Sequence, residues 1–268
     1  MTRLLPTGGW LGVLFSLLAL LPMPGAALAA GCFAAMARTA PALVPAAFTL
    51  AAAGEVDLTF LGHASFLIES PAGVSIVTDY NGFNRPALVP DIVTMNHAHP
   101  AHYTELVDPR VKFVLSGWDT GQGVAHHDLK YGDARVRNVP TNIRDGGGTE
   151  FGGNSIFVFE VADLCIAHLG HLHHTLAPEH LAGLGRVDVL LAPIDGAYTL
   201  SHDDMIEVIE QIKPPLLVPM HYFGPSVLQR FIDRTGNRYP VHLNPSPQVA
   251  LARDTLPKAT EILVLPGD

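Results

Sequence analysis

Ile92-Val93-Thr94-Met95 is a short apolar run that opens at once into Asn96-His97-Ala98-His99-Pro100-Ala101-His102. Three histidines within six residues, placed at the end of a run that suits a buried strand, constrain the fold more than any other stretch. A strand end is a rigid base, and neutral imidazole is the commonest protein ligand for zinc-type ions. His97 and His99 can meet one ion if the chain bends as it leaves the strand. His102, three residues further on, can reach a second position or complete the first. The plain alternative is a polar loop that happens to be rich in histidine, so the rest of the chain has to decide.

Hydrophobic content of 48% against 15% charged residues is ample for a core and excludes a disordered chain. The formal charge is −9 and basic residues form no cluster. Binding to nucleic acid is therefore not expected, since it relies on Lys and Arg to displace counterions. Residues 1–31 have the pattern of a secretory signal. Arg3 precedes the apolar run Trp10 to Leu21, Pro22, Pro24 and Gly25 break it, and small residues Ala26 to Ala30 follow. The apolar run is shorter than the ~20 residues needed to cross a bilayer. Loss of this segment removes Arg3 and takes the formal charge to −10. The expectation is an exported protein, periplasmic or extracellular. Cys32 also has the look of a lipid-attachment cysteine, which would be its one route to a membrane. Residues 32–54, rich in Ala with Pro41 and Pro45, read as a tether. Cys165 lies in the apolar run Leu164 to Ala167 and reads as a small buried hydrophobe. A disulfide to Cys32 is open to it in an oxidising compartment but is not the expectation, because Cys32 falls in the tether.

The folded domain is placed at 55–268. Val56 to Leu61 alternates, and Gly62-His63 turns into a second run, Ser65 to Glu69. Val74 to Thr78 ends at Asp79, and Asp91 to Met95, Lys112 to Ser116, Val136 to Val139, Ser155 to Val161 and Leu164 to His168 follow as strands. After Leu164 the rhythm alternates strand with helix. Strands are expected at Val187 to Pro193, Leu216 to Pro219 and Glu261 to Leu265. Helices are expected after Pro178, after the Ser201 cap and after Pro225. The pattern is a mixed α/β domain with more than one sheet.

Several of the fourteen histidines stand at strand ends. His63 follows the first strand, His168 and His171 follow the Leu164 strand, and His221 follows the Leu216 strand. Five segments in order resemble the metallo-β-lactamase superfamily, and within it the L-ascorbate-6-phosphate lactonase-like branch. They are Val56 to Glu69, Val74 to Asp79, His97-Ala98-His99-Pro100-Ala101-His102, His168-Leu169-Gly170-His171 and Pro219-Met220-His221-Tyr222. The resemblance implies an αβ/βα four-layer sandwich with a metal site at one edge of its paired sheets. It carries metal-ligand roles to His97, His99, His102 and His221.

Three positions depart from the family pattern. Ala101 stands where the motif has Asp, His171 where a bridging Asp belongs, and Asn142 in the place of a later histidine. Two divalent ions a few Å apart repel strongly without such carboxylates between them. The expectation is one divalent transition metal per chain, Zn2+ first among zinc, copper, nickel and ferrous iron, on His97, His99, His102, His171 and His221. Asp79 and Asp195 are candidates for a general base or for partners that orient the ligands. His63 is expected to fix the hairpin rather than bind metal. His126, His127, His180, His202 and His242 are expected at the surface. The reading is a hydrolase in which metal-bound water attacks an ester, lactone or phosphoester of a small molecule. The alternative is a metal-binding or ligand-sensing protein that kept the fold and lost the chemistry.

Overall fold

The computed structural model describes Met1, Cys32 and residues 54–267; the expected signal segment and nearly all of the tether lie outside the described residues. Val56–Gly62 (β1) alternates buried and half-buried side chains, as its sequence alternates, and turns back as Ser65–Glu69 (β2). Ser75–Val77 (β3), Ile92–Met95 (β4) and Phe113–Ser116 (β5) extend this sheet, β3 to β5 in parallel. Asp128–Tyr131 (β6), Ala134–Asp145 (β7), Gly148–Val161 (β8) and Leu164–His168 (β9) form an antiparallel run. Then Pro178–Leu184 (α1), Val189–Pro193 (β10), His202–Ile212 (α2), Leu216–Met220 (β11) and Pro225–Thr235 (α3) alternate. Val241–Leu243 (β12), Gln248–Leu251 (β13) and Glu261–Val264 (β14) close the chain.

Two sheets result among the described residues. The first has six strands in the order β13-β1-β2-β3-β4-β5, and the second has eight, β12-β14-β11-β10-β9-β8-β7-β6. Strands β9, β10, β11 and β14 are parallel, and β10 and β11 at their centre read as unbroken apolar runs, as strands covered on both faces do. Leu58, Phe66, Ile68, Ile76 and Ile92 from one sheet share a core with Phe157, Phe159, Ile166, Leu191 and Val218 from the other. The opposite face of the second sheet, with Val158, Ala167 and Leu190, packs with Leu184, Met205, Ile209 and Phe231 of the three helices. Ser201 caps α2 by accepting from the Asp204 N–H, as its sequence signals.

The outer face of the first sheet is covered differently from the expected helical layer. Leu67, Val77, Val93 and Met95 pack there with Tyr103, Val107, Val111 and Trp118 of the irregular segment between β4 and its continuation beyond β5. The α/β sandwich is present, with chain rather than helix as its fourth layer among the described residues. Three strands went unread in the sequence. β6 is a largely exposed edge strand, and β12 and β13 are edge strands of three and four residues, too short to stand out as runs.

One expectation is corrected here. Cys32 and Cys165 are joined in a disulfide, with Cα atoms 5.9 Å apart and 133 residues between them in sequence. Cys32 is buried in the helix-side core, and the Arg186 N–H donates to its carbonyl at 3.1 Å. The first residue of the expected tether is thus fastened to the domain, because the apolar setting of Cys165 gives it somewhere to be buried. A sulfur held in a disulfide cannot also carry a lipid, so the two roles of Cys32 exclude each other. Peptide mapping of non-reduced protein is expected to recover a Cys32–Cys165 crosslinked pair. Cys165→Ser should lower the unfolding free energy by about 2–5 kcal/mol, seen as an earlier guanidinium midpoint; two free thiols in the native protein would contradict this.

Candidate metal centre

The strands bring their histidines to one edge of the sandwich from both sheets. Asp79 follows β3, and its backbone is left-handed at φ 45°. That turn sends its carboxylate under the loop after β4, where Oδ1 accepts from the Asn96 N–H at 3.1 Å and Oδ2 accepts from His102 Nδ1 at 2.6 Å. Both side chains are fully buried. In the other sheet Asp195 follows β10, and its Oδ2 accepts from His221 Nδ1 at 3.1 Å. His221, just after β11, is also left-handed at φ 53°. The two histidines meet across the gap between sheets with Nε2 to Nε2 at 3.3 Å.

Asn96 stitches the sheets together at this edge. Its Nδ2 donates to the Ser155 carbonyl at 2.7 Å, while the Ser155 N–H donates to its carbonyl at 3.1 Å. Gly170 closes the third side at φ 61°; a Cβ there would lie 2.5 Å from the Asn96 Cβ and 2.6 Å from the Asn154 Oδ1. Only glycine allows this approach, and it delivers His171, whose N–H donates to Asn154 Oδ1 at 2.9 Å.

Of the five histidines predicted as ligands, the structure places His102 and His221 atom to atom. His171 stands 4.7 Å from His102 and 5.2 Å from His221, ring centre to ring centre. His97 stacks on His171 at 5.2 Å and bonds through Nδ1 to the Gly153 carbonyl at 2.8 Å. His99 is exposed, 6.1 Å from His102. Among the described residues the set whose ligand atoms all lie within 4.8 Å of one another is His63, His102 and His221. The sequence reading set His63 aside as a hairpin residue. Its signal was present in Gly62-His63, a turn that directs a ring back toward the strand ends, but nothing local says where those ends meet.

Asp79 and Asp195 stand behind the rings. Every oxygen of both carboxylates is engaged: Asp195 Oδ1 accepts from the Ala197, Tyr198 and Thr199 N–H groups, and Oδ2 also accepts from Thr199 Oγ1. That arrangement suits orientation of the histidines. Asn142 does not turn into the cluster; its N–H donates to His174 and its side chain accepts from the Gly152 N–H. Two of the expected surface histidines are turned inward, His127 to the Ser116 carbonyl and His202 to the Ile194 carbonyl.

Burial and mutual repulsion oppose a positive charge on His102, His171 and His63. His102 is held well below its ordinary pKa by burial and then by His221, His97 and His99. Burial also lowers His171, helped by His102 and His221, and it brings His63 to about 4, helped by the same pair. Burial raises Asp79, partly offset by His168 and the Asn96 N–H. Burial works against the Asp195 carboxylate too, but its bonds from His221, Thr199 and Ala197 outweigh that and hold it well below the usual range. His168 is a strut rather than a ligand, since Nε2 donates to the Ala64 carbonyl at 2.7 Å and Nδ1 accepts from the Gly170 N–H. It supports the turn that holds His63.

The cluster opens into a pocket walled by His63, His99, Ala101, His102, His171 and His221, with Tyr198 and Phe223 at its mouth. The two aromatic rings touch at 5.7 Å and are 68% and 62% exposed.

The chain is similar to known metal-dependent hydrolases in sequence and in fold. A UPF0173 metal-dependent hydrolase of Pyrococcus horikoshii is 30% identical over 197 residues, covering 62% of this chain and 84% of that one. A protein of the same name from Carboxydothermus hydrogenoformans is 28% identical over 192 residues, with the same coverage. The crystal structure of a candidate zinc-dependent hydrolase of the metallo-β-lactamase superfamily from Thermotoga maritima superposes with a TM-score of 0.59. It is 26% identical, and the match covers 78% of this chain and 98% of that one. The profile of the beta-lactamase superfamily domain matches residues 57–221, which run from β1 to the histidine that ends β11. With most of its folded part matched by that profile, the chain belongs to the metallo-β-lactamase superfamily.

Proposed function

We propose that the protein is an exported, metal-dependent hydrolase with one divalent metal per chain, zinc first, seated on the His102–His221 pair. The observation that carries this reading is the meeting of the two Nε2 atoms at 3.3 Å. Each ring gives its Nδ1 proton to a carboxylate, so each Nε2 presents a lone pair, and two lone pairs face each other in a buried place. A cation between them relieves that repulsion. Two nitrogens bound at about 2.0–2.1 Å in a tetrahedron stand roughly 3.3–3.4 Å apart, so the pair fits zinc. Carboxylate–histidine–metal triads fix the tautomer and strengthen the ligand, which is the role of Asp79 and Asp195. A bound divalent ion supplies a Lewis acid and a water of lowered pKa.

The remaining side chains favour a carboxylic ester or lactone over a phosphoester. None of the described residues lining the pocket is Lys or Arg. Nearby Arg85 and Arg144 are tied to the Asn81, Leu106 and Thr199 carbonyls. An anionic phosphoester would have only a single metal to meet its charge, whereas Tyr198 and Phe223 offer an apolar group a place to lie. His171 keeps a buried Nδ1 without a partner, available for a hydrogen bond to the polar end of a substrate. The Cys32–Cys165 disulfide supports export into an oxidising compartment with Cys32 free of lipid.

Ala101 and His171, in place of two metal-balancing carboxylates, favour a second reading, a metal-binding protein without hydrolytic activity. Hydrolysis of 4-nitrophenyl butyrate against bis(4-nitrophenyl) phosphate separates the two. We expect turnover of the butyrate by the metal-loaded protein and its loss with the metal in His102→Ala; metal loading without turnover of either compound favours the second reading. Elemental analysis is expected to return close to one transition metal per chain, and two equivalents would refute the single-metal site. Asp79→Asn keeps the shape but weakens the hold on His102, and zinc affinity should fall about 10–100-fold in a chelator competition; unchanged affinity would remove Asp79 from the site.

Metal-free protein should also show the depressed imidazoles in its stability. His63 and His173 have native pKa values of about 4 against 6.5 for free imidazole, so the unfolded chain binds more protons between these values. Their contribution is complete above pH 6.5 and is lost as pH falls toward 4. The urea midpoint in chelator should drop steadily from pH 7 to pH 4.5, and a flat profile would contradict the assignment.

A further inference from the structure

We propose that His63 is the third protein ligand of this metal, taking the place left vacant by the missing carboxylate at Ala101. The inference rests on the metal-site reading above and adds a residue that the family motif does not name. Three independent features of the turn between β1 and β2 point to it. His63 Nε2 is buried and has no hydrogen-bond partner, and an unpaired buried polar atom is costly unless something binds it. Its ring lies 4.3 Å from His221 and 5.4 Å from His102, and the ligand atoms of all three fall within 4.8 Å of one another.

The third feature is its backbone. His63 is left-handed at φ 54°, a conformation that costs a non-glycine residue free energy and collects at functional sites. It is held there by the His221 N–H, which donates to its carbonyl at 2.6 Å, and by the His168 strut on the next residue. The turn that aims His63 and the strand end that carries His221 are therefore one unit. Ala101 is fixed by its carbonyl, which accepts from Asn81 Nδ2 at 3.0 Å, and presents only a methyl to the same pocket. A motif that has lost its carboxylate thus keeps three protein ligands, and the fourth position stays open for water.

The test is zinc affinity of the full mature chain, measured against a chromophoric chelator, together with the visible spectrum of the cobalt-loaded protein. His63→Asn tolerates the left-handed backbone and cannot reach the metal. It is expected to bind zinc more than about 100-fold more weakly and to change the cobalt bands, while the metal-free thermal midpoint stays that of the wild type. His97→Ala should change affinity by no more than a few-fold. Ala101→Asp placed in the His63→Asn chain should recover affinity at least tenfold, because it restores the family's own ligand. Wild-type zinc affinity and cobalt spectrum in His63→Asn, with His102→Ala binding lost, would overturn the role of His63 alone. Undiminished zinc binding in His102→Ala would overturn the underlying metal site, and with it this proposal.

Discussion

Two buried carboxylate–imidazole pairs, one from each sheet, set the terms for everything at this edge of the molecule. Asp79 holds His102 from the first sheet and Asp195 holds His221 from the second. Asp79, Asp195 and His221 each follow a strand end, with Asp79 and His221 in left-handed turns, and the Asp79 carboxylate in turn holds His102 of the segment after β4. The pairs converge because the inter-sheet core fixes how far apart the sheets sit, and Asn96 ties the edge shut by bonding across to Ser155. At the meeting point burial opposes a positive charge on His102, and it does the same for His63 beside it.

The departures from the family pattern take on physical sense in this setting. Two carboxylates between two divalent ions would offset half of their four positive charges. Replacing them with Ala101 and His171 leaves neutral donors, and neutral donors suit a single ion backed by carboxylates one residue removed. The carboxylates that remain, Asp79 and Asp195, stand behind His102 and His221 rather than beside them. Among the described residues the pocket in front is lined by no Asp, Glu, Lys or Arg and is bounded by aromatic rings.

Much of this was legible in the sequence. The strand-end positions of His97, His102, His171 and His221 and the hairpin from Val56 to Glu69 carried the fold and the neighbourhood of the site. What escaped was long-range. Cys32 lies in an Ala- and Pro-rich stretch with no apolar pattern of its own, and only the buried face around Cys165 explains its position. His63 is a single polar residue in a turn, and its meaning depends on His221, 158 positions later in the chain. Asp79 and Asp195 were found as acidic residues at strand ends, but whether such a residue faces the pocket or stands behind a ring depends on one backbone torsion that composition does not encode. Strands β6, β12 and β13 were missed because edge strands are paired on one side only and need no apolar run.

The irregular segment after β4 does two things with one length of chain. It carries His97, His99 and His102 into the site, and through Tyr103, Val107, Val111 and Trp118 it roofs the outer face of the first sheet where a helix would otherwise lie. Roof and site are consequently not separable inheritances. A sequence drifting under selection for its roof re-aims its imidazoles at the same time, and one adapting its pocket must keep the roof watertight. That coupling makes the segment the natural place to look for how relatives of this fold part company in chemistry.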